Sequence, residues 1–280
     1  METYLRPKDL EAYERFLREE EMAPATIESY LRHLQAFVHF AQGRPLCREL
    51  TIAWKEEARR QGYQPGTVNV MLSALNGLMS YLGRTDCRVK FLRQQKRSFR
   101  SQEKELTREE YRRLLDTART VGKERLALVM ETICSTGIRV SEVKFITVEA
   151  LQNGSGEIAM KGKIRTVLFP GKLARKLLRY AKQQGIAEGE VFRSRTGKRL
   201  DRRQIWAEMK AVCRRAGVAP AKVFPHNLRH LFARTYYKAH RDIAHLADVL
   251  GHSSVETTRI YLTTTTEYQR RQMEKLKLIS

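Results

Sequence analysis

The chain has little of what several common classes of protein depend on. Its four cysteines are widely separated, at Cys47, Cys87, Cys134 and Cys213, and no Cys-x-x-Cys pair occurs. This spacing suggests neither a zinc site nor a redox motif and favours reduced, partly buried thiols. No run of about 18 apolar residues is present, so we expect no membrane span.

The sequence also lacks a signal peptide and a metal-binding pattern. Residues 1–4 have no basic-then-apolar character, so a cytoplasmic protein is expected. His226 and His230 are four residues apart, but Asn227 stands where the H-E-x-x-H motif has glutamate, and no third ligand is evident. Clustered carboxylates, which a metal nuclease would need, are not found. We therefore predict no metal site.

Positive charge, in contrast, is abundant and unevenly distributed. The chain has 53 Lys and Arg against 31 Asp and Glu, for a net charge of +22. Residues 1–95 carry only +2 of this charge, and the remainder of the chain carries +20. A field of this strength favours a polyanion, and nucleic acid is the first candidate. The alternative is a basic protein that self-repulsion keeps soluble.

Residues 1–95 show the apolar spacing of amphipathic helices. Pro24 suits the first turn of one helix, and Gly43 and Gly83 suit the ends of two. The spacing predicts a bundle of roughly four helices. The apolar positions are Leu10, Tyr13 and Leu17; Ile27, Tyr30, Leu31, Leu34, Val38 and Ala41; Ile52, Trp54 and Ala58; and Val68, Leu72, Leu75, Met79 and Leu82.

A polar, basic linker is predicted over residues 96–105, which separates the helical domain from a second domain at 106–280. Its charges, Lys96, Arg97 and Arg100 among them, would lie along a phosphate backbone or merely keep the linker solvated.

The second domain begins with a capping box at residues 107–110, and Gly137 ends a helix of its core. Two short β-type runs, 158–160 and 166–169, flank a turn, which predicts a small hairpin or meander. Further helices are predicted after Asp201 and over about 226–239, 242–250 and 254–262. The fold class is therefore mainly α with a small β-sheet.

Three fragments of the second domain, residues 136–142, 226–230 and 251–261, carry side chains suited to phosphate chemistry. They include Arg139 and Arg229, His226 and His252, and Tyr261. An arginine fork matches two phosphate oxygens at once. A tyrosine hydroxyl can attack phosphorus and hold the product as a covalent ester.

Each fragment is weak evidence by itself. Arg139, taken alone, is better explained as a surface arginine paired with Glu142, three residues on. His226 and Arg229 share one helix face because residues three apart are neighbours there, but histidines at helix starts are common. Tyr261 on a helix is more often a core residue than a nucleophile.

Together, in this order and spacing, the fragments resemble the catalytic motifs of the tyrosine recombinase (phage integrase) family, including the nine-residue step from His252 to Tyr261. Residues 25–30 and 67–72 are similar to the N-terminal core-binding domain of that family. The resemblance covers nearly the whole chain. It implies a SAM-like helical domain, a tyrosine-recombinase catalytic domain and the short, Xer-like form.

The resemblance also implies residue roles. Tyr261 is implied as the nucleophile, and His226 as the proton acceptor or its positioner. A catalytic lysine is implied on the β-turn, where Lys161 matches best and Lys163 is the rival. The phosphate-binding residues would be Arg139, Arg229 and His252, with Glu142 and His230 in support, and further DNA contacts would come from Lys96, Arg97, Arg100 and Lys163.

The implied reaction needs no metal, ATP or other cofactor, because a 3′-phosphotyrosyl ester stores the bond energy. The implied partners are double-stranded DNA with an inverted-repeat core site and a homotetramer on synapsed DNA, in the nucleoid. Integration or excision of a mobile element and Xer-type resolution both remain open. So do type IB topoisomerase-like relaxation and a non-catalytic DNA-binding regulator. Residues 267–279 would pack on their own domain or on a neighbouring protomer.

Overall fold

In the computed structural model the chain divides into two compact units, residues 1–96 and 97–280. The structure describes residues 4–93, 105–160, 163–194, 196–259, 261 and 274–275. Several predicted features lie outside the described residues. They are Lys96, Arg97, Arg100, Lys161, the side chain of Lys163 and most of the segment 267–279.

The N-terminal unit contains the predicted four helices. They are α1 (Pro7–Glu19), α2 (Pro24–Ala41), α3 (Arg48–Arg60) and α4 (Pro65–Tyr81). Three of them begin with proline, which costs nothing at a position whose N–H has no helical partner. One core assignment is wrong: Ile52 is exposed, because the buried face of α3 is formed by Leu50, Thr51, Trp54 and Ala58.

The second unit has eight α-helices among its described residues. They are α5 (Arg108–Thr120), α6 (Glu124–Thr136), α7 (Val148–Gln152), α8 (Gly171–Gln183), α9 (Arg202–Cys213), α10 (Pro225–His240), α11 (Ile243–Leu250) and α12 (Val255–Arg259). The predicted capping box is present: the Glu110 N–H donates to Thr107 Oγ1 at 3.1 Å, and the Thr107 N–H to Glu110 Oε2 at 2.9 Å. Sequence reasoning missed α7 and α8.

The predicted hairpin consists of β1 (Ser155–Met160) and β2 (Lys163–Leu168), which pair antiparallel with Ile158 opposite Arg165. Side chains alternate between faces along a strand. On β2, Val167 is buried and the Arg165 side chain is only 15% exposed, whereas Ile164 and Leu168 are exposed. The inward face of β2 therefore carries an arginine.

Helix α6 lies at the centre of this unit. Val129, Met130 and Ile133 are fully buried, and α5, α8 and α10 pack around the helix. This packing places the C-terminal end of α6, at Gly137, next to α10 and α11. No helix in the described part of the chain is long and apolar enough to cross a membrane.

Candidate active site

Gly137 ends α6 and allows the chain to turn sharply toward Arg139. It has a φ of 68°, a left-handed conformation that favours glycine. A Cβ at this position would lie 2.5 Å from Phe232 Cδ1 and 2.9 Å from Leu250 Cδ2. The predicted helix end is confirmed, and its cause is both the backbone conformation and the close approach of α10 and α11.

Arg139 is held by Glu142 but keeps its head accessible. Its backbone N–H donates to Glu142 Oε2 at 2.7 Å, and its Nη1 donates to Glu142 Oε1 at 3.0 Å. The Arg139 side chain is 43% exposed, and that of Glu142 is 2% exposed. Arg139 therefore forms the predicted local ion pair and still presents its guanidinium at the surface.

Glu142 remains anionic although it is buried. Burial raises the pKa of its carboxyl, but the hydrogen bond from the Arg139 backbone and the charge of Arg165 outweigh that effect and leave the pKa below its usual value. Glu142 Oε2 also accepts from Arg165 Nη2 at 2.6 Å. One buried carboxylate thus orients two arginines.

Arg229, in the first turns of α10, is only 1% exposed. Its Nη1 donates to Gly137 O at 2.5 Å, and its Nη2 donates to Leu250 O at 2.7 Å and approaches His252 Nε2 at 2.9 Å. These contacts join the ends of α6 and α11. With the Nε contact to Tyr261, they occupy four of the five N–H donors of a guanidinium.

His252 follows Gly251, the left-handed end of α11. Because arginine has no acceptor, the Nε2 atom that faces Arg229 presents a lone pair. The ring proton then lies on Nδ1, which is 2.8 Å from Oγ1 of the buried Thr258. Burial, with the positive charges of Arg229 and its neighbours, lowers the pKa of His252 to about 4. His252 is therefore neutral at pH 7.

Tyr261 lies within this cluster and is 6% exposed. Its hydroxyl accepts from Arg229 Nε at 3.4 Å. The ring centroids of His230, His252 and His226 are 4.4, 5.6 and 6.0 Å from that of the phenol, and the His252 ring is nearly parallel to it. A phenol, a buried guanidinium and three imidazoles thus meet at one point.

An open cavity of about 540 Å³ adjoins the cluster. It is lined by Arg139, Ser141, Glu142, Ile158, Ile164, Arg165, Gly251, His252, Ser253 and Thr257. Arg139 and His252 thus border one space, and His252 also contacts Arg229, so the cationic groups converge there. A larger cavity, near Tyr180 and Arg193, contains none of the candidate residues. Within the described ranges, no three His, Cys, Asp or Glu side chains form a metal-binding group.

The structure brings together seven of the predicted residues: Arg139, Glu142, His226, Arg229, His230, His252 and Tyr261. Sequence reasoning missed two that contact them, Arg165 and Thr258. Arg165 had a detectable signal, because it shares the period-2 row of β2 with the core residue Val167. The sequence signal for Thr258 was weaker, because it consisted of its position three residues before Tyr261.

Comparisons with known proteins cover nearly all of the chain. Residues 104–267 match the phage integrase family, and residues 10–86 match the phage integrase N-terminal SAM-like domain. These matches confirm the predicted fold class. The tyrosine recombinase XerA of Thermococcus kodakarensis is 31% identical over 277 residues, which is 96% of this chain and 95% of that protein.

Solved structures that share the fold include two with bound DNA. The XerH recombinase bound to its difH substrate, in a pre-cleavage complex, gives a TM-score of 0.69 at 21% identity, covering 92% of this chain and 82% of that one. A lambda integrase tetramer bound to a Holliday junction gives a TM-score of 0.75 at 18% identity, covering 93% and 77%.

Proposed function

This chain belongs to the phage integrase family of tyrosine recombinases, and from that premise we propose that it cuts and rejoins DNA at a specific site through a 3′-phosphotyrosyl intermediate on Tyr261. One observation carries this proposal. The Tyr261 hydroxyl contacts the guanidinium of Arg229 inside a ring of histidines. A phosphate bound by that guanidinium would therefore lie next to the attacking oxygen.

In the first step Tyr261 Oη bonds to phosphorus, and the bond from phosphorus to the 5′ oxygen breaks. Free tyrosine has a pKa of about 10, so its proton needs an acceptor, and His226 is the proposed acceptor or its positioner. The departing 5′ oxygen takes a proton from the catalytic lysine, assigned to Lys161 with Lys163 as the rival. A 5′-hydroxyl of the partner duplex then attacks the phosphotyrosine, which rejoins the strand and restores the phenol.

Arg139 and Arg229 stabilise the charge that builds on the non-bridging oxygens. Loss of one such preorganised donor typically costs about 10²–10³ in rate. Two carbonyl groups already hold the Arg229 guanidinium in position, so the group itself need not move when phosphate arrives. Arg139 is exposed enough to reach a bound phosphate while Glu142 holds its backbone.

His252 needs a change of tautomer to donate a hydrogen bond to the same phosphate. In the free protein its Nε2 faces Arg229 and its Nδ1–H faces Thr258 Oγ1. A hydroxyl can donate as well as accept, so Thr258 can support either tautomer by rotation. With the proton on Nε2, His252 would bind a phosphate oxygen and release Arg229 Nη2 to do the same.

The proposed substrate is double-stranded DNA with an inverted-repeat core site, which four protomers would synapse. The net charge of +20 after residue 95 supports binding to a duplex. The XerH and lambda integrase structures named above contain DNA, and the latter is a tetramer. The full-length match to an XerA protein favours Xer-type resolution over movement of a mobile element.

Covalent trapping from a DNA library tests the proposal and identifies the site in the same experiment. The library consists of duplexes with randomised arms and a nick beside the central spacer. After cleavage the short fragment that carries the 5′-hydroxyl dissociates and cannot rejoin, so the remaining DNA stays attached to the protein. We expect the wild type to accumulate adducts that share one inverted-repeat sequence. Tyr261→Phe should bind the recovered duplex with unchanged affinity and form no adduct. Adducts that persist in Tyr261→Phe would show that the proposed nucleophile is wrong.

Relaxation of a supercoiled plasmid separates the rival function. A topoisomerase-like enzyme would relax a plasmid without the recovered site as fast as one that contains it. A site-specific recombinase should join two recovered sites and leave the plasmid without them supercoiled.

A further inference from the structure

Arg165, on the inward face of β2, connects the two segments that present the candidate phosphate-binding groups. Its Nη2 donates to Glu142 Oε2 at 2.6 Å, and its Nη1 donates to Val249 O at 2.8 Å. Glu142 belongs to the turn that begins at Arg139, and Val249 lies three residues before His252. One planar guanidinium therefore connects the turn that begins at Arg139 to the last turn of α11, which precedes His252.

The stem of Arg165 packs against Gly251, the residue directly before His252. Gly251 has a φ of 63°, and a Cβ there would lie 2.7 Å from Arg165 Nε and closer still to Cδ. The glycine thus serves two purposes: it permits the left-handed end of α11, and it leaves room for Arg165. This second contact fixes the position of Arg165 relative to the His252 backbone.

From these contacts we infer that Arg165 is a positioning residue, which sets the distance and orientation between Arg139 and His252 so that both can bind one phosphate. This inference rests on the proposed function. Arginine suits the task better than lysine, because its fork reaches two separate acceptors in fixed directions. Glu142 allows it to lie near other cations, since the carboxylate is shared by Arg139 and Arg165.

Three variants test the inference in cleavage of the recovered nicked duplex. Arg165→Met removes both hydrogen bonds, and Arg165→Lys retains charge but can satisfy only one acceptor well. Arg199→Met is the matched control, because it also breaks an arginine–glutamate pair, Arg199 with Glu190, away from the site. We expect Arg165→Met to cleave about 100-fold more slowly than wild type, as a displacement of about 1 Å in an active site can cost. Arg165→Lys should be intermediate, and Arg199→Met unchanged.

A neutral substrate distinguishes a loss of arginine positioning from a general loss of stability in Arg165→Met. A methylphosphonate at the cleaved position has lost the negative charge of one non-bridging oxygen. Cleavage of this neutral group therefore depends less on correctly placed arginines. The Arg165→Met defect should shrink from about 100-fold on phosphate to under about 10-fold on methylphosphonate, in parallel with Arg139→Lys. A variant that is merely destabilised would lose the same factor on both substrates.

Two results would overturn the inference while leaving the proposed function intact. One is that Arg165→Met cleaves the phosphate substrate as fast as the wild type does. The other is that Arg165→Met binds DNA with unchanged affinity but has the same defect on both substrates. If Arg165→Met does not fold, as judged by its thermal unfolding, Arg165→Lys carries the same comparison. Failure of the proposed function is recognised separately, because Tyr261→Phe would then still form adducts.

Discussion

The two arginines of the site have the same proposed chemical task but very different surroundings, so their loss should have different consequences for stability. Arg229 is 1% exposed and donates to two backbone carbonyls, Gly137 O and Leu250 O. Arg139 is 43% exposed and, among the residues that the structure describes, pairs with Glu142 alone. We predict that substitution of either by lysine slows cleavage, whereas only Arg229→Lys lowers the free energy of unfolding substantially.

The magnitudes follow from the contacts. An unsatisfied buried acceptor costs about 1–3 kcal/mol, and a lysine can satisfy only one of the two carbonyls well. Arg229→Lys should therefore cost at least about 1–3 kcal/mol of stability, and Arg229→Met about 2–6 kcal/mol. After Arg139→Lys, Glu142 keeps Arg165 and the backbone N–H of residue 139, so the loss should stay below about 1 kcal/mol.

The cleavage rates of Arg139→Lys and Arg229→Lys should both fall by about 10²–10³, because each variant loses a preorganised fork of donors. Urea unfolding gives the free energies, and single-turnover cleavage of the nicked duplex at saturating protein gives the rates. The reasoning would be refuted if Arg229→Lys unfolded like the wild type, or if Arg139→Lys were as unstable as Arg229→Lys.

Three further predictions concern the residues around these arginines. Gly137→Ala should cost at least about 2 kcal/mol of stability in urea unfolding, whereas Gly154→Ala, with a φ of 71° but an open surrounding, should cost only about 1 kcal/mol; equal costs would show that the contact with Phe232 is unimportant. Thr258→Val should slow cleavage and lower stability by about 1–3 kcal/mol because it leaves His252 Nδ1–H unpaired, while Thr258→Ser should restore both; a fully active valine variant would contradict the tautomer argument. Because the folded pKa of His252 is about 4 and the unfolded value about 6.5, the unfolded chain binds more protons in this window, so stability should fall as the pH falls from 6.5 to 4; His252→Gln should show a shallower fall in thermal unfolding over that range, and an identical slope would refute the assignment.

Many helix ends could be predicted from the sequence, because the residues that start and stop a helix act on their immediate neighbours. Pro24 at the start of α2, the capping box at Thr107 and Gly137 at the end of α6 all act within one turn, and the corresponding helix ends are confirmed. Helix α8 has a local signal as well, because Leu173, Leu177 and Ala181 recur at helical spacing. The prediction that Ile52 is a core residue is wrong, because the face of α3 that becomes buried depends on the helices that pack against it.

The sequence motifs name residues that the structure brings together, but they do not give the arrangement of those residues. Arg139, Arg229, His252 and Tyr261 come from three separate motifs and meet in one cluster. Their individual states depend on contacts between distant segments, which no spacing reveals. The burial of Arg229 depends on the meeting of α6 and α11, and the bridging position of Arg165 depends on the register of β1 and β2.

The central claim is that Tyr261 forms the covalent link to DNA, and mass spectrometry of the trapped adduct tests it most directly. After nuclease trimming and tryptic digestion, the peptide from residue 260 to residue 270 contains both Tyr261 and Tyr268. Fragmentation should place the nucleotide remnant, joined through its 3′ phosphate, on Tyr261. A remnant on Tyr268, on a serine or threonine, or joined through a 5′ phosphate would contradict the account.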